Sequence, residues 1–275
     1  LYSQTFKNNL EVIDSPKIVP TPDKDYTRIT FYPDFKRFKV KGISTPTLSL
    51  LEKRAYDVAA NTSENVSVYF NDTLLTVKKF EDYVDLFLPE NYQKEKLVIE
   101  TKRWKIAICT NPFEEFTQVS FVNGVHTMNG GTHVNYIMNP LIKHLTDKLQ
   151  KKSKDVAIKP SFIRENVMIF ISALIENPEF KSQAKEELTL KSNVFGSTFK
   201  FDESHYKKIL KMELVNKIIA TLKFKESKAL NTSDGKKTMK LTGIPKLDDA
   251  NDAGGRNSKE CTLILTEGDS AKTFA

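Results

Sequence analysis

The sequence predicts an α+β protein. Three observations carry this: paired runs of β-formers around turn residues, two long patterns with a period near 3.6, and an apolar, β-branched run from Val167 to Ile175 that empties into a polar loop. At 275 residues the chain is long enough for one large domain or two modest ones. Its 39% apolar and 28% charged residues exclude disorder throughout. No apolar run approaches the roughly 20 residues of a membrane helix.

Tyr26 to Tyr32 alternates β-formers and predicts a strand stopped by Pro33-Asp34. Thr47 to Ala60 predicts a helix, with Leu48, Leu51, Ala55 and Ala59 along one stripe. Val66 to Val77 predicts a strand pair around Asn71-Asp72, residues that accept hairpin-turn geometry. Leu97 to Ile99 and Trp104 to Thr110 predict another pair, and Gln118 to Asn123 a further strand ending at Gly124. After Gly130-Gly131, Thr132 is placed to cap a helix whose inward face is Val134, Ile137, Met138, Leu141, Ile142, Leu145 and Leu149. Pro140 lies inside it and predicts a kink. Ser204 to Lys225 predicts one long helix, Asn231 to Gly243 a linker, and Cys261 to Leu265 a short apolar strand.

Three stretches are candidate sites. The buried strand Val167 to Ile175 ends in Glu176-Asn177-Pro178, where the proline drives the residue before it out of helical geometry. The loop that follows presents Gln183, Ala184 and Lys185, an amide and an ammonium suited to gripping an anion. At the other extreme, the apolar run to Leu265 delivers Glu267, Gly268 and Asp269, as α/β folds deliver carboxylates to a sheet edge. Glu267 there suits Mg²⁺ ligation or proton exchange with a leaving oxygen. Between Lys143 and Arg164 seven Lys or Arg stand against Asp147 and Asp155, densest at Lys151, Lys152 and Lys154. Such lysines bind phosphates without reading bases, although a solvated face has the same composition.

Other chemistries are not encoded. His126, His133 and Cys109 fit no zinc spacing, and there is no G-x-G-x-x-G or P-loop. Two distant cysteines make no disulfide framework, which points to a reducing compartment. The net charge of +7 permits a polyanionic partner without demonstrating one. The opening Leu1-Tyr2-Ser3-Gln4 has neither an initiator Met nor a targeting pattern, and the chain reads as a fragment.

Taken together these stretches resemble the type IIA DNA topoisomerases. Glu267-Gly268-Asp269-Ser270-Ala271 resembles the first motif of a TOPRIM domain. Its lead-in, residues 244–255 and Cys261 to Glu267, is similar to the eukaryotic branch. Ser120 to Asn123 and Gly130 to Val134 resemble the transducer domain, Leu174 to Gln183 the strand and loop that reach ATP, and Arg54 to Val58 the last helix of a GHKL ATPase domain. The resemblance implies an interior piece: the C-terminal part of the GHKL ATPase domain over 1–75, a transducer over 76–230, a linker over 231–255 and the start of TOPRIM over 256–275.

It further implies that Gln183 and Lys185 touch the γ-phosphate of ATP, that Lys151, Lys152 and Lys154 form a DNA-contacting lysine loop, and that Glu267 is the first Mg²⁺ ligand at the cleavage centre. The family has threonine where this chain has Ala184, and its lysine loop is longer. The remaining TOPRIM ligands, the nucleophilic tyrosine and the ATP lid are not among these residues. The implied enzyme is a homodimer without a membrane partner that passes one duplex through another using ATP and Mg²⁺, the segment alone being inactive. The short Leu88-to-Trp104 connection resembles the enzyme of an asfarvirus-like cytoplasmic DNA virus, which implies the host cytoplasm, against the nucleus for a cellular enzyme. Two rivals remain: an ATP-driven clamp of the chaperone or mismatch-repair kind, and a non-enzymatic nucleic-acid-binding module.

Overall fold

The structure is a computed structural model that describes residues 1–8, 10–22, 26–113, 115–152, 158–222 and 250–265. Two compact units make it up, Leu1–Leu48 and Ser49–Ala275. In the first, β1 (Tyr2–Ser3) pairs antiparallel with β4 (Lys17–Ile18), and β2 (Phe6–Lys7) with β3 (Val12–Ile13), as one interrupted hairpin. The strand expected over Tyr26 to Tyr32 is absent: this stretch is coil, with Ile29, Phe31 and Tyr32 exposed. Alternating β-formers make a strand only where a second backbone offers a ladder, and none of the described residues does so here.

Helix α1 (Thr45–Asn61) follows the expected bounds closely. The expected hairpin is β5 (Tyr69–Phe70) and β6 (Thr73–Leu74), shorter than its apolar pattern. Asn71 and Asp72 both take positive φ, 47° and 59°, the tight-turn geometry that such residues tolerate. After α2 (Phe80–Asp85), a five-stranded sheet is built from β7 (Lys96–Glu100), β8 (Trp104–Thr110), β9 (Thr117–Val122), β10 (Val125–His126) and β11 (Val167–Ala173). Its order is β10-β9-β11-β8-β7. Only β9 and β11 are parallel, joined by a crossover through α3 (Thr132–Lys152) and α4 (Pro160–Glu165).

Helices cover both faces of this sheet, which explains why β8 and β11 are nearly continuous apolar runs rather than alternating ones. One face carries Trp104, Ile106, Ile108, Ile169 and Ile171 against Ile137, Met138, Leu141 and Leu145 of α3. The other carries Ala107, Cys109, Phe121, Met168 and Phe170 against Ala59 and Ala60 of α1 and Phe80, Tyr83 and Val84 of α2. A buried polar bolt fixes α1 here. The Tyr83 hydroxyl donates to the Asp57 carboxylate at 2.7 Å, and Lys53 and Arg54 reach the same carboxylate at 2.7 and 3.2 Å. Burial and that hydrogen bond push the Tyr83 phenol well above its ordinary range. Ser172 on β11 donates to Asn61 at 2.5 Å, so α1 is also tied to the central strand.

Helix α3 continues past Pro140, which is exposed. Two further expectations are corrected. The helix expected over Ser204 to Lys225 divides into α5 (Glu203–Ile209) and α6 (residues 213–222), parted by a turn at Leu210-Lys211. No glycine or proline marks that break. The Glu95 carboxylate, distant in sequence, accepts from the Glu213 amide at 2.7 Å and caps the new helix. Residues 261–265 are not a strand; Leu263, Ile264 and Leu265 are exposed, with no ladder partner among the described residues.

Candidate nucleotide-sensing loop

Strand β11 leaves the core at Ala173, and the expected turn follows, with Asn177 at φ 44° before Pro178. Residues 179–189 then form a loop strung between two core anchors, half-buried Phe180 and Leu188, which is 1% exposed. Phe180 and Leu188 bridge antiparallel, and the Lys181 amide donates to the Glu187 carbonyl at 3.0 Å. Gln183, Ala184 and Lys185 lie together at the exposed tip. A turn closed by the Lys185 amide on the Ser182 carbonyl, 3.0 Å, sets the tip, with Lys185 at φ 59°. A side chain other than glycine seldom adopts that backbone, and it is found disproportionately at ligand clamps. Glu187 binds Lys181 at 2.8 Å, whereas no carboxylate pairs with Lys185 among the described residues. The tip therefore offers an amide and an uncompensated ammonium to an incoming anion.

The loop does not hang free of the fold. Its second limb is sewn to the entry of α3: the Asn129 amide donates to the Glu186 carbonyl at 2.9 Å, the Leu188 amide to Gly130 at 3.1 Å, and the Thr132 amide to Leu188 at 3.0 Å. Thr132 is the first helical residue rather than the expected cap, and its hydroxyl donates to the Leu190 carbonyl at 2.6 Å. Gly131 makes this approach possible. Its φ is +135°, and a methyl group there would lie 2.3 Å from the Leu188 carbonyl oxygen. The next residue but one, His133, is fully buried at the same junction. Its Nε2 lies 3.2 Å from the Thr127 hydroxyl, which donates to the Ser120 carbonyl, while Nδ1 has no partner among the described residues. Burial pulls its pKa down to about 4.

From this junction α3 extends over 21 residues, about 30 Å at 1.5 Å per residue. Its far end carries exposed Lys151. The Lys152 side chain and the whole of Lys154 lie outside the described residues, as do the linker residues 231–243 and Glu267 with its motif. One helix thus connects the Gln183–Lys185 loop to the lysine run, a relation that neither motif shows by itself. The sequence showed Gly130-Gly131 only as a loop end; two consecutive glycines before a helix were the available signal for a close backbone approach.

The model for the family DNA gyrase B matches residues 63–238. The chain belongs to that family. It is 42% identical over 281 residues to DNA topoisomerase 2 of Drosophila melanogaster, covering 100% of this chain and 19% of that protein. With DNA topoisomerase 2-alpha of Homo sapiens the identity is 41%, over 100% of this chain and 18% of the relative. The chain therefore spans under a fifth of the length of these curated relatives. Among solved structures, the ATPase and transducer domains of DNA topoisomerase II from Balamuthia mandrillaris superpose with a TM-score of 0.73 at 34% identity, over 82% of this chain and 58% of that one. The ATPase region of Saccharomyces cerevisiae topoisomerase II gives 0.67 at 33% identity, over 82% and 57%. The fold is that of the ATPase and transducer region of type II topoisomerases, and the rival clamp reading is not favoured.

Proposed function

We propose that this chain couples ATP to the DNA gate in a type IIA DNA topoisomerase, within a homodimer that passes one duplex through another. One observation carries the reading: the exposed Gln183–Lys185 tip is sewn through Leu188 to the N-terminal end of α3, whose other end bears the lysine run. Lys185 holds the terminal phosphate by charge, Gln183 orients it, and Ala184 contributes backbone alone. ATP, when bound, supplies a charged group whose presence or loss the tip registers. A shift of the tip must move α3, because the two share main-chain hydrogen bonds rather than flexible side chains. The resemblance supports the partition proposed above, with GHKL residues over 1–75, transducer over 76–230, linker over 231–255 and TOPRIM from 256. It also supports Lys151, Lys152 and Lys154 as duplex contacts and Glu267 as Mg²⁺ ligand. The short Leu88-to-Trp104 connection supports a viral source acting in the host cytoplasm.

In the full-length enzyme, Lys185→Ala is expected to lower ATP-stimulated strand passage about 10- to 100-fold, the worth of one charge-assisted contact. ATP-independent DNA cleavage should persist. Relaxation and cleavage assays on one preparation check this; loss of both activities together would remove the division of labour.

A further inference from the structure

Beside the lysine run, α3 and α4 enclose an open groove of about 460 Å³. Asn139, Ile142 and Lys143 line it from α3, and Pro160, Ser161 and Arg164 from α4. Arg164 is preset. Its guanidinium lies 4.3 Å from the centre of the Phe116 ring, and both terminal nitrogens approach the Asn135 side-chain oxygen at 3.3 to 3.4 Å. Neither Lys143 nor Arg164 has a carboxylate partner among the described residues, although Asp147 stands on the rim one turn from Lys143. Across the described parts of both helices and their junction, Lys143, Lys148, Lys151, Lys159 and Arg164 outnumber the carboxylates Asp147 and Glu165.

We infer that this groove seats a backbone phosphate of duplex DNA, an inference that rests on the topoisomerase reading and extends its DNA contact beyond the lysine loop. A planar guanidinium held on an aromatic ring offers a phosphate the N–H donors not turned to Asn135, while an ammonium opposite supplies a point charge. Asn139 and Ser161 add neutral donors, and Ile142 and Pro160 offer apolar surface to the flank of a deoxyribose. Lys143, Asp147 and Lys151 share one face of α3, and Lys143 lies about 12 Å from Lys151 along the axis. A duplex backbone tracking that face meets both cations in turn. Asp147, between them, opposes a phosphate at that point and is outnumbered by the two cations.

The test uses the full-length enzyme and a 30-base-pair duplex, with the dissociation constant measured across a salt series. Exposed Lys143→Glu is expected to weaken binding alike on different duplex sequences and to reduce the magnitude of the log–log salt slope by about 1, since each neutralised phosphate contributes roughly 0.9. Arg164→Gln should do the same, and Arg164→Lys should keep the slope while losing affinity. Unchanged slopes in both Lys143→Glu and Arg164→Gln, with the parent binding duplex, overturn the groove and leave the topoisomerase reading standing. Competition by an acidic peptide with no slope change assigns the groove to protein and overturns it equally. A parent that binds no duplex overturns both.

Discussion

Replacing Gly131 by alanine is expected to uncouple the 179–189 loop from the fold. The added methyl would lie 2.3 Å from the Leu188 carbonyl oxygen, 2.6 Å from its nitrogen and 2.9 Å from its Cα, all main-chain atoms that cannot rotate aside. At φ +135° an L side chain is strained even without a neighbour. The two effects together cost about 2–5 kcal/mol. The cheapest relief is to release the loop, which gives up the hydrogen bonds from Asn129, Leu188 and Thr132. The variant should therefore show a lowered thermal midpoint, faster proteolysis within residues 179–189, and ATP-stimulated activity reduced at least as far as in Lys185→Ala. Gly124→Ala is the control: φ is +79° there but nothing lies within 4 Å of the added carbon, so only backbone strain of about 1 kcal/mol applies. Equal effects of the two substitutions would show that the contact with Leu188 carries no weight.

The second large effect is acid lability at the same junction. His133 is buried beside Thr127 with Nδ1 unpartnered among the described residues, and burial holds its pKa at about 4 against an ordinary 6.5. Below pH 6.5 the unfolded chain takes up a proton that the folded protein refuses. The stability this group contributes is therefore complete above pH 6.5, falls as pH drops toward 4, and levels off below the folded value. The loss amounts to roughly 3 kcal/mol over that window. His126, lowered to about 4 by burial and by Lys53 and Arg54, acts in the same direction from β10. Urea midpoints between pH 7 and 4.5 should fall more steeply for the parent than for His133→Gln. Parallel curves would place the acid-sensitive group elsewhere.

Much of this architecture was legible in the residues because local and tertiary preferences agree. Val167 to Ile175 read as a buried strand, and its Val167–Ala173 part is the strand beneath both cores; the α3 stripe from Val134 to Leu149 read as a helix and packs as one. Asn177-Pro178 announced its turn. What was not legible depends on distant partners. Tyr26 to Tyr32 has strand composition without a ladder partner among the described residues, and the division of α5 from α6 rests on a cap supplied by Glu95. The β9–β10 hairpin was missed although Asn123-Gly124 carries the signal, with φ of 51° and 79°. At the site, Gln183 and Lys185 were visible as residue types. Their attachment to α3 was not, because it is made by the main chains of Asn129, Leu188 and Thr132, whose side chains say nothing about it.

Whether the Lys185 ammonium reads the terminal phosphate of a nucleotide is tested most directly by a structure of the full-length dimer loaded with a non-hydrolysable ATP analogue. The Lys185 Nζ is expected within about 3 Å of a γ-phosphate oxygen, with the Leu188–Gly131 contact intact. A Lys185 side chain turned to solvent, on the order of 10 Å or more from that phosphate and beyond any charge-assisted contact, would contradict it.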